Sequence, residues 1–401
     1  MPTLIAPRAR APVYAERWPA PAAVESSAGL YIHVPFCARL CPYCDFDTQD
    51  RELHLIAPYA RALVAEVQYL PAVPLHSVFF GGGTPSVLRP EQVAAVLDAI
   101  RARLSVAPDA EITIECNPNH VREARLAGYR AAGVNRISLG VQALDEALLR
   151  LLGRQHTVAR VVAAVAAVRA AGFDDLSLDL MYGLPGQSLA QWERTVDAAL
   201  ALEPTHLSAY LLTLEPWTPM GQAVARGELT LPDDETVAAQ YALLGERLAA
   251  AGFVQYEISN WARPGWAGRH NLGYWRGEPY LALGAGAVGR WGAARRKTTP
   301  LVPEYLRAVG EGTVPPAAVE PLTPEAQWRE LLMLGLRLRA GIDPAAFQAR
   351  TGLALEQAMP AADELMAGGF LEWAEGRLRL TARALLVSNE VLVRLGLAAG
   401  D

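Results

Sequence analysis

Between Leu30 and about Leu214, short runs rich in β-branched and apolar residues alternate with stretches whose apolar positions recur every three to four residues. That alternation is the pattern of repeated βα units and a parallel sheet, an α/β fold. Six strands are predicted: Leu30–Val34, Ser77–Phe80, Glu111–Cys116, Arg136–Val141, Asp175–Met181 and His206–Leu212. Between them, Pro90 suits a first helical turn, and Val93, Leu97, Ile100 and Leu104 then share one helix face. After Asp233 and Asp234 the stripe Val237, Tyr241, Leu244, Leu248 runs until Gly252 stops it. Six such units make a partial, open (β/α)6 TIM-like barrel over residues 30–255.

In barrels of this kind the chemistry sits at the C-terminal ends of the strands, so the residues there should be unusual for a core. Strand one runs into Cys37–Cys44 and strand two into Gly81-Gly82-Gly83-Thr84-Pro85. Strands three to six carry or reach Glu115, Gln142, Asp179 and Glu215. Residues 256–320 break the alternation with an aromatic, Gly-rich stretch that predicts loops and short strands, appended to the barrel. From 321 to 401, three helices (Glu325–Arg339, Pro344–Arg350, Leu355–Ala367), a hairpin around Ala374-Glu375-Gly376 and a last helix predict a winged-helix-like domain. Its third helix region, Leu355 to Gly369, holds Glu356, Asp363 and Glu364 and no Lys or Arg. A scaffold or protein contact is therefore expected there, not DNA binding.

Composition narrows the classes further. The 401 residues are 52% hydrophobic and 19% charged, with a net charge of −6. This suits a well-buried globular chain and removes the attraction on which nonspecific nucleic-acid binding relies. The longest apolar run, Val161 to Val168, falls far short of the roughly 20 residues a membrane span needs. Residues 1–29 are rich in Pro, Ala and Arg without a secretion signal's apolar core, and predict a loose, flexible arm on a cytoplasmic protein.

Only four cysteines occur, three of them within eight residues: Cys37, Cys41 and Cys44 form C-x₃-C-x₂-C, with Tyr43 before the last. Three soft thiolates on a loop stiffened by Pro35, Phe36 and Pro42 can each hold one iron of a cubane and leave the fourth iron without a protein ligand. A zinc site is the alternative; it would want a fourth ligand, and His33 is the nearby candidate. The fourth cysteine, Cys116, alternates with Glu115 along its strand and should face packing. Glu115, Gln142, Arg154 and Asp179 lie at strand ends or just beyond, where a polar side chain either faces a cavity or must be satisfied within the core.

With Tyr31-Ile32-His33-Val34-Pro35-Phe36 before it, the C-x₃-C-x-Y-C motif resembles the radical-SAM family in its coproporphyrinogen-dehydrogenase branch, and the resemblance covers nearly the whole chain. It implies a [4Fe-4S] cluster on Cys37, Cys41 and Cys44 whose open iron chelates S-adenosylmethionine, cleaved in that family to a 5′-deoxyadenosyl radical. It also implies that Gly82, Gly83 and Thr84 cradle the methionine end of the cofactor. Glu115, Gln142, Arg154 and Asp179 would meet its amine, ribose and carboxylate, with Tyr31 on the adenine side and Tyr43 beside the cluster. A flavodoxin or ferredoxin-type electron donor follows from the same chemistry.

Two features bear on the member of that branch. The dehydrogenases carry a further cysteine two residues after the third ligand, where this chain has Phe46. His270-Asn271-Leu272-Gly273-Tyr274-Trp275 instead resembles the branch's haem chaperones, as do Leu283–Ala287 and Leu386–Glu390. In that reading His270 is a candidate haem ligand among flat aromatic rings. The local composition equally suits aromatics that pack on the barrel. The chaperone resemblance implies haem as a bound group, respiratory haem proteins as acceptors and peripheral membrane association without a span. The alternatives are oxidative decarboxylation of coproporphyrinogen III and a radical-SAM reaction on an unrelated small molecule.

Overall fold

The computed structural model describes residues 13–14, 18 and 26–398. Its strands in chain order are β1 (Val13–Tyr14), β2 (Ala28–Val34), β3 (Leu75–Gly82), β4 (Val106–Cys116), β5 (Arg136–Gln142), β6 (Asp175–Tyr182), β7 (His206–Leu211), β8 (Val254–Glu257), β9 (Asn260–Ala262), β10 (Tyr280–Leu283), β11 (Val288–Trp291), β12 (Ala294–Thr298), β13 (Ala317–Pro321), β14 (Leu371–Ala374) and β15 (Arg377–Leu380). Strands β2 to β7 pair in parallel, in sequence order, as the six predicted units require. Helices such as Pro90–Arg103 return the chain between them, and Asp234–Ala250 follows β7; these two bury the predicted stripes, Val93, Leu97 and Ile100 on the first, Tyr241, Leu244 and Leu248 on the second.

Strict alternation along these strands decides what each face does. Leu30, Ile32 and Val34, Ile112 and Ile114, Ile137 and Leu139, and Leu176, Leu178 and Leu180 are fully buried or nearly so, against the helices. The intervening positions point into the barrel and are mostly polar: Tyr31 and His33, Thr113 and Glu115, Ser138 and Gln142, Ser177 and Asp179, Ser208 and Tyr210. Tyr210 is 45% exposed, although its hydroxyl lies near enough to Asp179 and Glu257 for their charge to add to the rise of its pKa. A side chain that is both accessible and surrounded lines an open interior, which the usual layers of Val, Ile and Leu would have filled.

The structure corrects several boundaries. Residues 256–320 do not merely append a surface: β10 joins β2 in parallel and extends the sheet by a seventh parallel strand, followed by β11, β12 and β13. At the far edge β9 and β8 close onto β7. Four residues among glycines left too short a run for β10 to be read as a strand. Most of the predicted loose arm lies outside the described residues, yet Val13–Tyr14 pairs with β13, the Arg296 guanidinium lies 5.2 Å over the Trp18 ring, and Ala28 and Gly29 already belong to β2. In the C-terminal domain the expected third helix is broken into Leu355–Ala358 and Ala362–Ala367, with Pro360 in the gap. The predicted hairpin is present, turned by Glu375 and Gly376 at φ 53° and 73°, the positive values a two-residue hairpin loop requires. Among the described residues no helix is long and apolar enough to cross a membrane.

Candidate cofactor site

The three cysteines occupy the loop that leaves β2 at the C-terminal mouth of the barrel. Backbone bonds Cys37 N to Gln49 O (2.9 Å) and Gln49 N to Pro35 O (2.7 Å) fold the loop back on itself, and Cys44 N donates to Cys41 O at 3.2 Å. Met220 N donates to Pro42 O at 2.9 Å, and Tyr43 packs in a small apolar cluster with Met220 and Leu212. The loop is thereby held from both sides while its thiols remain partly accessible. Burial raises the Cys37 and Cys44 thiols above their ordinary pKa. Among the described residues no three His, Cys, Asp or Glu side chains converge as a single bare ion would need, whereas a cubane takes each thiolate on a different iron.

Next to the loop, the end of β3 supplies the glycines. Gly83 N donates to Val34 O and Thr84 N to Phe36 O, both at 2.9 Å, and Thr84 Oγ1 donates to Cys37 Sγ at 3.4 Å. A Cβ on Gly83 would stand 3.1 Å from Cys37 Sγ and 2.9 Å from Phe36 O, and one on Gly82, at φ +114°, only 2.6 Å from His33 Nδ1. Only glycine fits either place, which leaves a cradle of backbone beside the thiols. Gly82 N in turn donates to Glu115 Oε2 at 3.2 Å.

On the opposite side Arg154 donates to Cys41 Sγ at 3.7 Å and to Gly140 O at 2.8 Å, so one guanidinium ties the cysteine loop to the end of β5. Gln142 lies beside it: a Cβ on Gly140 would be 3.2 Å from Gln142 Nε2 and 3.5 Å from Arg154 Nη2. Gln142 takes φ 66° at a break in the β5–β6 register, backbone strain of the kind that re-aims side chains at sites. Asp179 accepts from Ser138 Oγ at 3.0 Å on both carboxylate oxygens and from Ser177 Oγ at 3.3 Å. Burial, and then the Asp179 charge, push Glu115 up to about 8. Two carboxyls, an amide and a guanidinium thus stand together in the barrel interior beside the thiols, with Arg154 Nε buried and unpartnered. That donor set fits a zwitterionic, hydroxylated ligand chelated beside the thiols.

The remaining expected side chains fall in two places. Tyr31 faces the same interior, its hydroxyl 2.9 Å from His33 Nδ1, while His33 Nε2 is bonded to Asp47 O at 3.0 Å and is not free to complete a zinc site. Cys116 is 3% exposed and faces the apolar layer, as its alternation with Glu115 requires. Phe46 is 65% exposed on the cysteine loop.

His270 departs from expectation. It lies on the short helix Arg269–Trp275, packed beneath the N-terminal ends of β2, β3 and β4, at the floor of the barrel opposite the thiols. The ring is 3% exposed and stacks on Phe79 with centroids 5.1 Å apart. Its Nδ1 is bonded to Ser77 Oγ and its Nε2 to Tyr274 OH, each at 2.8 Å. With both nitrogens engaged, no lone pair is presented to a haem iron. The expectation of an open imidazole ligand is corrected to a packed and hydrogen-bonded one.

Two groups that hold the site escaped the sequence reading. Ser138, Ser177 and Ser208 cradle Asp179, and the alternation of R-I-S-L, L-S-L-D and H-L-S-A carried that signal. A buried set around Glu66 left none: its carboxylate accepts from Gly284 N (2.8 Å) and Tyr305 OH (2.7 Å), and Tyr59 OH accepts from Ala285 N while donating to His33 O. These bonds press the Leu283–Ala287 segment against the strand that leads to the cysteines.

The chain matches the Radical SAM superfamily over residues 31–199 and the HemN C-terminal domain over residues 322–387. It is 40% identical over 371 residues to a protein of Mycobacterium tuberculosis described as Heme chaperone HemW, covering 91% of this chain and 93% of that one. It is 36% identical over 376 residues to Heme chaperone HemW of Escherichia coli, with coverage of 90% and 96%. The solved structure of coproporphyrinogen III oxidase HemN from Escherichia coli superposes with a TM-score of 0.79 at 23% identity, over 92% of this chain and 90% of that chain, a likeness of fold. The chain belongs to the radical SAM superfamily and, within it, to the family of the heme chaperone HemW.

Proposed function

We propose that this chain carries a [4Fe-4S] cluster on Cys37, Cys41 and Cys44, binds S-adenosylmethionine in the barrel mouth, and binds haem for delivery to respiratory haem proteins. One observation carries the cofactor reading: Thr84, after β3, and Arg154, tied to the end of β5, reach two of the three cysteine sulfurs at the barrel mouth, beside Glu115, Gln142 and Asp179. In this reading Glu115 accepts from the cofactor's amine, Arg154 meets its carboxylate, and Gln142 and Asp179 its ribose hydroxyls, while Gly82, Gly83 and Thr84 admit the methionine backbone and Tyr31 and Tyr43 flank it. The cluster, when bound and reduced by a flavodoxin or ferredoxin-type donor, supplies one electron to the sulfonium. The chain's own residues orient that sulfonium and exclude other ligands from the open iron.

Haem handling, as against decarboxylation of coproporphyrinogen, is supported by the heme chaperone relatives and by Phe46, an exposed phenyl ring where the dehydrogenases carry a further cysteine. Transfer would occur in the cytoplasm or at a membrane surface reached peripherally. The test is anaerobic reconstitution followed by two assays on one preparation. Haem should pass to an apo-acceptor, and no decarboxylated porphyrinogen should form. Harderoporphyrinogen or protoporphyrinogen at catalytic turnover would overturn the proposal.

A further inference from the structure

The floor helix bears His270 and Asn271 in sequence, and the second begins a line of bonds that climbs the barrel. Asn271 Nδ2 donates to Tyr256 OH at 3.2 Å, and that hydroxyl lies 2.8 Å from His206 Nε2. On the other face of the imidazole, His206 Nδ1 lies 2.8 Å from Ser177 Oγ, which donates to Asp179 Oδ1 at 3.3 Å. Each link is a side chain, and His206, Ser177 and Asp179 are buried or half-buried. The same Asn271 Nδ2 also lies 3.4 Å from Glu257 Oε1, a second acceptor on β8.

We infer that Asn271 is a positioning residue for the cofactor cavity, acting on Asp179 through the line Tyr256, His206 and Ser177. The Asp179 oxygens face three serine hydroxyls: Ser138, bonded to both at 3.0 Å, Ser208, which also reaches the Tyr210 hydroxyl, and Ser177, which runs on through His206 toward the floor. His206 can bridge because an imidazole offers two nitrogens on opposite edges, and in the neutral ring one donates and the other accepts. Burial and the nearby Arg136 guanidinium hold that ring neutral. The orientation of Asp179, and with it the geometry offered to a ribose, is thus set from the end of the barrel remote from the thiols. Asn271 stands beside His270, so the whole His-Asn pair serves the interior of the barrel and neither member is aimed at an external ligand.

The inference rests on the reading that S-adenosylmethionine occupies the mouth, and the test separates the two. The cluster is reconstituted in the full chain, and S-adenosylmethionine affinity is measured by titration for wild type, Asn271→Ala, Ser177→Ala and the double variant. Failure of the wild type to bind would remove the functional reading. Given wild-type binding, each single variant is expected to weaken affinity about three- to tenfold, in keeping with loss of one bond behind a charged group. The double variant should be no weaker than the weaker single one. Residues that far apart are additive unless coupled, so the shortfall reports the line itself, where general loosening would give a sum. Haem titration should stay within about twofold of wild type in all four proteins. Ser177→Ala removes one buried hydroxyl and is expected to fold even if Asn271→Ala does not, and His206→Gln then serves as the second cut. Unchanged cofactor affinity, additive losses, or a loss confined to haem would each overturn the inference.

Discussion

The two ends of the barrel are built from the same strands and behave differently. At the mouth, polar groups are under-bonded or strained: Arg154 Nε and His156 Nδ1 are buried without partners, Gln142 takes φ 66°, and the Glu115 carboxyl is pushed up to about 8. At the floor, His270 has both nitrogens bonded and a ring stacked on Phe79, and Glu111 accepts from the backbone of Arg269 and His270 at 2.7 and 3.1 Å. From below, Arg350 reaches Arg276 O and Gly277 O at 2.6 Å, fixing the C-terminal domain to the same segment. The floor also holds Trp275 Nε1 and His76 Nε2 buried without hydrogen-bond partners, so what sets the mouth apart is the strained Gln142 and the partly accessible thiols beside its unpartnered Arg154, the combination that a ligand would complete.

That contrast can be broken at either end. Replacing any one of Cys37, Cys41 or Cys44 by Ser should abolish the visible absorption of the reconstituted cluster while far-UV circular dichroism stays unchanged, because the loop is held by backbone bonds and not by its thiols. His270→Ala should do the reverse. Loss of a buried ring and two hydrogen bonds is expected to lower stability by about 2–4 kcal/mol in urea unfolding, while the protein that folds still takes up iron and sulfide. Between these in kind, Arg154→Met should weaken S-adenosylmethionine binding by about ten- to a hundredfold. Arg154→Lys should not restore it, because one ammonium cannot serve the Gly140 carbonyl and a ligand carboxylate together.

Two smaller effects follow from protonation. Burial, and then the neighbouring His76, hold His270 down at about 3 against an ordinary 6.5. The unfolded chain therefore takes up the proton first. The stabilisation it contributes is complete above about 6.5 and is lost as pH falls toward about 3. His270→Gln should flatten that part of the unfolding midpoint curve. At the mouth the sign is opposite: Glu115, at about 8, is protonated at neutral pH, and an amine that donates to its carboxylate favours the ionised form. Affinity for S-adenosylmethionine should rise with pH up to about 8 and level off beyond it, and Glu115→Gln should remove the slope.

The six parallel strands and the placement of the cysteine loop were legible because both are local: period-two runs, helical stripes and three thiols within eight residues. The polar interior was equally local yet was missed, although Thr113, Ser138, Ser177 and Ser208 alternate with the apolar residues that define their strands. The strand β10 was not legible, because its partner β2 lies about 250 residues earlier and four residues give no period of their own. The fate of His270 was hidden for a related reason. A histidine among aromatics reads as a ligand or as packing alike until Ser77, 193 positions away in sequence, is seen to occupy its Nδ1.

The proposed cofactor site requires one iron that the chain would leave unligated beside Arg154 and the Gly82–Gly83 cradle. Electron paramagnetic resonance of the dithionite-reduced, reconstituted protein, recorded with and without S-adenosylmethionine, tests this directly. A cubane signal whose g-values shift on addition of the cofactor, and do not shift in Arg154→Met at the same concentration, is the predicted result. A signal indifferent to the cofactor in the wild type, or no cubane signal at all, would contradict it.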